Sequence, residues 1–340
     1  MPHQVIITRD FDHMSEVAAG LVGERIGRVS GGPFVLGLAT GATPTGVYKH
    51  LAKAANSGSL DPSRIRTFNL DEYVGLPGED PQARSLHPQS YSFFMVQELF
   101  GLLRTKFAEA NLPRGCLVDQ DRLLHELEAN PGDWQGQGAD KGKAIVIRPE
   151  AKSGYLRWVR GEILDGYEQK IKRSGGIDLH IIGVGGRGHV AFHEAGIPFE
   201  GNRMLLVRLD DSTVANAVAD GQFECREEGP CYAITMGAEL VYEARCVVLL
   251  ACGQRKAEPV AASLAEEPSS ALPISYGQIY ARRGGDLLYV IDCAAASGVL
   301  ARRAEIERRG VVIEDLSEGC ATCRVEELRF SRSPVSGRME

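Results

Sequence analysis

Residues 177–194 read IDLHIIGVGGRGHVAFHE. The run from Ile177 to Val184 is almost continuously apolar and ends in Gly185 and Gly186. A strand buried on both faces has this look, and glycines after it let backbone approach a ligand. A fixed cation, Arg187, and an imidazole, His189, follow at once. The same order of apolar run, loop and helix-like stretch recurs in PFVLGLATGATPTGVYKHLAKAA (33–55), CVVLLACGQRKAEPVAASLA (246–265) and DLLYVIDCAAASGVLARRAEIERRG (286–310). IRTFNLDEYVGL (65–76) reads as a strand followed by acidic residues, RMLLVRL (203–209) as a further strand, and Val5–Ile7 as a short first strand. Apolar runs spaced by helices predict an α/β fold of Rossmann-like type, a mostly parallel sheet with helices on both faces.

The bulk numbers agree with that class. The chain has 340 residues, 44% hydrophobic and 24% charged, enough for a large core. No apolar run is long enough to span a bilayer. The opening MPHQVIITRDFDH lacks the pattern of a signal peptide, so a cytoplasmic protein is expected. A formal net charge of −7 argues against a general nucleic-acid surface while leaving room for a local positive pocket. Eight scattered cysteines read as reduced thiols. The pair Cys320/Cys323 in CATC lacks the second ligand pair that a zinc site needs.

Residues 1–316 are expected to form one domain with an insertion near 114–156, where NPGDWQGQGADKGK (130–143) reads as exposed loop and AIVIR (144–148) as a short strand. Residues 317–340 read as a polar, peripheral tail.

Open parallel sheets bind ligands beyond the carboxyl ends of their strands. Four loops fall there. Thr40, Gly41, Ala42 and Thr43 offer backbone donors and hydroxyls to an anion at a helix start; the plainer reading is a turn with Thr43 as N-cap and Pro44 in the first helical position. Asp71 and Glu72 follow a strand, where a shielded carboxylate can act as a base and where a turn or cap is the commoner use. His189 and Glu194 pair an imidazole with a carboxylate for proton transfer; His189 alternatively caps a helix. His189 and His193 have metal-ligand spacing on a helix, but no third ligand is evident. Arg255 and Lys256 add charge near a helix start, or simply face solvent.

Taken in order, LGLATGATPTGVYKHL (36–51), FNLDEYVGL (68–76) with SYSFFMVQELF (90–100), the 177–194 stretch, and AITMGAELVYEARCVVLLACGQRKA (233–257) resemble the glucosamine-6-phosphate deaminase/isomerase family, related to the 6-phosphogluconolactonases. The resemblance covers most of residues 4–310. It implies an aldose–ketose isomerisation of an amino-sugar phosphate coupled to loss of ammonia, with no metal or organic cofactor. Asp71 would move the proton from C2 to C1. His189, oriented by Glu194, would help open the sugar ring. Thr40, Gly41, Ala42, Thr43 and Lys256 would hold the phosphate. The expected partner is a small phosphorylated sugar, with neither nucleic acid nor membrane, and a homo-oligomer is left open.

Three departures qualify the resemblance. Arg187 stands where the family carries the aspartate of the ring-opening relay, a change of two charge units, so that relay cannot run unchanged. Val218 stands where the family has a phosphate-binding arginine, and Ala42 replaces a glycine. Arg187 is therefore assigned to substrate binding, standing in for the donor lost at Val218. The competing functions are a non-catalytic sugar-phosphate sensor and a lactonase.

Overall fold

Strand β11 (Cys246–Ala251) is buried at all six positions. Its alternate residues Val247, Leu249 and Ala251 enter one core, and Cys246, Val248 and Leu250 enter another. A strand that feeds two cores must have helices on both faces. The computed structural model, which describes residues 3–29, 31–139, 142–209 and 229–330, has this arrangement.

The main sheet contains β1 (Gln4–Thr8), β2 (Phe34–Leu38), β3 (Ile65–Asn69), β5 (Glu109–Asn111), β8 (Leu179–Gly183), β11, β12 (Asp286–Asp292) and β13 (Val312–Asp315). Their order is β13-β1-β12-β11-β8-β2-β3-β5, and every pairing is parallel. Helices Phe11–Arg28, Thr45–Asn56 and Tyr91–Glu98 pack on one face, and Gly166–Arg173, Ala257–Ala265 and Cys293–Ala301 on the other. No helix among the described residues is long and apolar enough to cross a membrane.

There is a second sheet, of which only the strands at 144–148 and 203–209 were legible in the sequence. It joins β4 (Asp71–Val74), β6 (Trp134–Gln137), β7 (Lys143–Ile147), β9 (Met204–Arg208) and β10 (Tyr232–Met236) in the antiparallel order β4-β10-β9-β7-β6. The exposed loop expected at 130–143 is corrected, since it holds β6, while the strand expected at 144–148 is present as β7. The insertion near 114–156 contributes β6, β7 and the helix Gln120–Ala129, whose Leu123 and Leu127 are buried against Ile145 and Ile147. Polar outward positions had hidden that apolar inner face. The tail is likewise docked as far as it is described. Arg9 donates to the carbonyls of Ser317 and Glu318, Val325 N donates to Asp12, and Phe330 packs on the core.

Leu70 is the seam between the sheets. Its N–H donates to Leu38 O at the end of β2, and its carbonyl accepts from Met236 N at the end of β10. The chain thus leaves the parallel sheet at Asn69 and enters the antiparallel one at Asp71.

One close approach in the main sheet is testable. Gly37 of β2 lies beside His180 of β8, and a Cβ there would come within 2.1 Å of the imidazole. The ring is fully buried and held neutral, its pKa lowered by burial to about 4. Gly37→Ala must push the ring into close-packed neighbours. The expected loss is about 1–3 kcal/mol, read as a lower midpoint in thermal or urea unfolding.

Candidate active site

The seam residue Leu70 and the four loops surround one crevice of about 470 Å³ at the carboxyl ends of β2, β3, β8 and β11. Thr40, Gly41, Ala42 and Thr43 form one wall, Asp71 the second, His189 the third, and Arg255 and Lys256 the fourth. Seven of the nine residues assigned to the site from the sequence therefore face a common space. The other two, Arg187 and Glu194, are not among its lining residues.

The first wall leads directly into a helix. That helix runs Thr45–Asn56 with Pro44 at the N-cap, so the expected cap at Thr43 is shifted by one residue. Pro44 provides no side-chain cap. Instead the Thr45 hydroxyl turns back to Ala42 O at 2.8 Å. The positive end of the helix thus opens toward the crevice without a side-chain acceptor of its own. Gly41 adopts φ +105, a conformation closed to most residues, and Tyr48 anchors the loop by donating to Ala39 O.

Asp71 is 5% exposed. Burial and the neighbouring Glu72 carboxylate push its pKa up to about 8, opposed by a 3.3 Å hydrogen bond from Thr40 Oγ1. A carboxyl group that titrates near neutrality beside a cavity fits proton transfer. Alternation along β4 turns Tyr73 the same way, so Asp71 and Tyr73 both line the crevice. Glu72, on the opposite face, does not.

His189 sits in a tight turn. Gly188 N donates to Gly185 O at 2.9 Å, and Gly188 adopts φ +76. His189 Nδ1 is 3.2 Å from Glu194 Oε1 and 3.3 Å from Oε2. The Glu194 side chain is only 2% exposed. Arg187 reaches the same carboxylate, Nη2 to Oε2, at 3.4 Å. The cation therefore pairs with Glu194 behind the imidazole. Val218, the other half of the suggested arginine exchange, lies outside the described residues.

His193 does not share a helix with His189. Its Nδ1 accepts from Ala238 N and its Nε2 lies 3.1 Å from Ile197 O, so both nitrogens serve the core. Burial lowers its pKa to about 4. Among the described residues no cluster of three or more His, Cys, Asp or Glu is arranged to hold a metal ion.

Behind the fourth wall, Gly253 N donates to Asp292 at 3.0 Å, and the Cys252 thiol lies 3.0 Å from the same carboxylate. Asp292 also caps the helix Cys293–Ala301 through Ala295 N. This carboxylate ties the turn carrying Arg255 and Lys256 to the next strand.

Sequence reading missed the crevice's aromatic side. Tyr73, Tyr91 and Phe192 stack with ring centroids 4.7–6.1 Å apart, and the Tyr91 hydroxyl donates to Tyr73 at 3.2 Å. Their only signal was the apolar–aromatic run SYSFF and a lone Phe after the glycine loop. Ala191, another lining residue, is the one non-glycine with positive φ among the described residues, at +50.

No family model matches the chain. Curated relatives do. The chain is 31% identical over 294 residues to a glucosamine-6-phosphate deaminase of Clostridium botulinum, strain Loch Maree, covering 86% of this chain and 98% of that one. It is 32% identical over 295 residues to a glucosamine-6-phosphate deaminase of Thermoanaerobacter sp. strain X514, covering 86% and 94%. Among solved structures, a monomeric glucosamine-6-phosphate deaminase superimposes with a TM-score of 0.62 at 26% identity, over 87% of this chain and 99% of that one. The 6-phosphogluconolactonase of Leishmania guyanensis gives 0.55 at 18% identity over 88% and 99%, a likeness of fold alone.

Proposed function

The chain belongs to the glucosamine-6-phosphate deaminase family, and from that premise we propose that it converts a 2-amino-2-deoxy-hexose 6-phosphate and water into a ketose 6-phosphate and ammonia. The observation that carries this reading is the single crevice, with Asp71, His189, the Thr40–Thr43 loop and Lys256 on its walls.

Each step has a group suited to it. The sugar phosphate docks against the helix start and Lys256, where backbone N–H groups and a point charge meet a dianion. His189 exchanges a proton with the ring oxygen through Nε2, because Nδ1 faces Glu194. Asp71 then takes the proton from C2 and returns it to C1. The amino-bearing C2 becomes an imine, and water replaces its nitrogen as ammonia. The aromatic side of the crevice covers the apolar face of the sugar. Arg187 pairs with Glu194, the carboxylate that orients His189, and so adds its charge to this relay.

Ammonia and ketose phosphate, measured with glucosamine 6-phosphate and its epimers, test the proposal. Tight binding of these sugars without ammonia release would favour the sensor. Hydrolysis of 6-phosphogluconolactone in their stead would favour the lactonase.

Lys256→Ala is expected to raise KM roughly ten- to a hundredfold with little change in kcat, the loss of one charge-assisted contact made equally in ground and transition states. Steady-state kinetics across substrate concentration separates the two constants.

A further inference from the structure

Glu72 is 2% exposed, belongs to an edge strand of the second sheet and does not line the crevice. A buried carboxylate needs partners, and this one has four donors. Tyr73 N and Tyr91 N donate to Oε1, each at 2.9 Å; Ser92 N and Ser92 Oγ donate to Oε2 at 2.8 and 2.7 Å. Two of these backbone groups belong to the first turn of the helix Tyr91–Glu98, so Glu72 secures that turn beside its Ser90 cap, which accepts from Phe93 N. The ring of Tyr91 projects from this turn into the crevice.

The adjacent Asp71 has one donor, Thr40 Oγ1, at 3.3 Å. Two neighbouring carboxylates in a low-dielectric seam do not ionise together readily. Burial pushes both upward; the four donors hold Glu72 back, whereas Asp71 has little to offset burial and the neighbouring charge. The four donors thus favour the charged form of Glu72 more than one donor favours that of Asp71.

We propose that Glu72 is the positioning residue of this site: held by four donors, its carboxylate anchors the Tyr91 turn and, added to burial, is the like charge that opposes ionisation of Asp71. The proposal rests on the reading of Asp71 as the base, and it adds how that base is tuned. Other groups near Asp71 do not replace this effect. The hydroxyls of Tyr48, Tyr73, Tyr91 and Tyr167 are all raised by burial and stay neutral. His189, Arg255 and Lys256, on the other walls of the crevice, are cations or potential cations and favour the charged form of Asp71. Glu72 is thus the like charge that opposes them.

The experiment follows the Asp71 carboxyl carbon by NMR in aspartate-labelled protein, with the signal assigned by its absence in Asp71→Asn. In Glu72→Gln the Asp71 midpoint is expected to fall by about one unit or more, and in Glu72→Asp, which keeps the charge, to stay near the wild-type value. The acid limb of kcat/KM should move with the midpoint. An unmoved midpoint in a folded Glu72→Gln protein would reduce Glu72 to a structural cap. Should that variant fail to fold, a wild-type Asp71 midpoint below about 5 would overturn the proposal equally. Turnover that survives Asp71→Asn would instead overturn the base assignment, whatever the titration gives.

Discussion

Asp71→Asn is expected to slow ammonia release from glucosamine 6-phosphate by roughly a hundred- to ten-thousandfold, with KM little changed. The amide fills the same space and still accepts from Thr40, but it cannot take a proton from carbon. In the wild type, kcat/KM should rise with pH and level off near the Asp71 pKa of about 8, because only the ionised form is a base. Stability should run the opposite way. Folding raises this pKa above the ordinary aspartate value near ~3.9. The stabilisation from its protonated form is complete below that value and is lost as pH rises through about 8. The amide in Asp71→Asn does not ionise and suffers no such loss, so the inactive variant is expected to melt above wild type at about pH 9. Initial rates and thermal melts over the same pH series check both halves. Full activity in Asp71→Asn would remove the base.

Gly185→Ala carries the second large effect. The backbone of Gly185 is not in the left-handed region, so alanine is allowed there on its own account. The obstacle is the imidazole. A Cβ at this position would stand 2.0 Å from His189 Nε2 and 2.3 Å from Cε1. The ring must swing away, taking Nδ1 off Glu194 or Nε2 out of the crevice. A displacement of about 1 Å in a reacting group costs on the order of a hundredfold in rate. Turnover should fall by that order, while inhibition by inorganic phosphate, which we assign to the Thr40–Thr43 wall, stays as in wild type. Equal losses in both would point to a general collapse of the crevice.

Legibility in the sequence followed burial. The parallel sheet was plain because strands covered on both faces are written in Val, Ile and Leu, as in Cys246–Ala251. The antiparallel sheet was legible only at β7 and β9; WQGQ of β6 has the composition of a loop. β4 was missed for another reason. It opens with Asp71 and Glu72, residue types depleted in strands, and only the tertiary donors around Glu72 make that segment tolerable there. The four loops were found because glycine, threonine and charge interrupt apolar runs. The aromatic wall was invisible, since Tyr91 and Phe192 look like core residues until the fold turns them to the cavity. Arg187 stood out by its chemistry, yet spacing could not tell that its partner would be Glu194.

Among the described residues, strand β1 pairs only with β12 and β13. β1 thus leaves the ribosome well before its partners, which are drawn from residues 286–315. At about 5–20 residues per second, that wait lasts on the order of tens of seconds. Until it ends, a largely apolar segment stays exposed to chaperones and to neighbouring nascent chains. A premature stop beyond every crevice loop but before residue 286 would still leave β1 without a ladder to join.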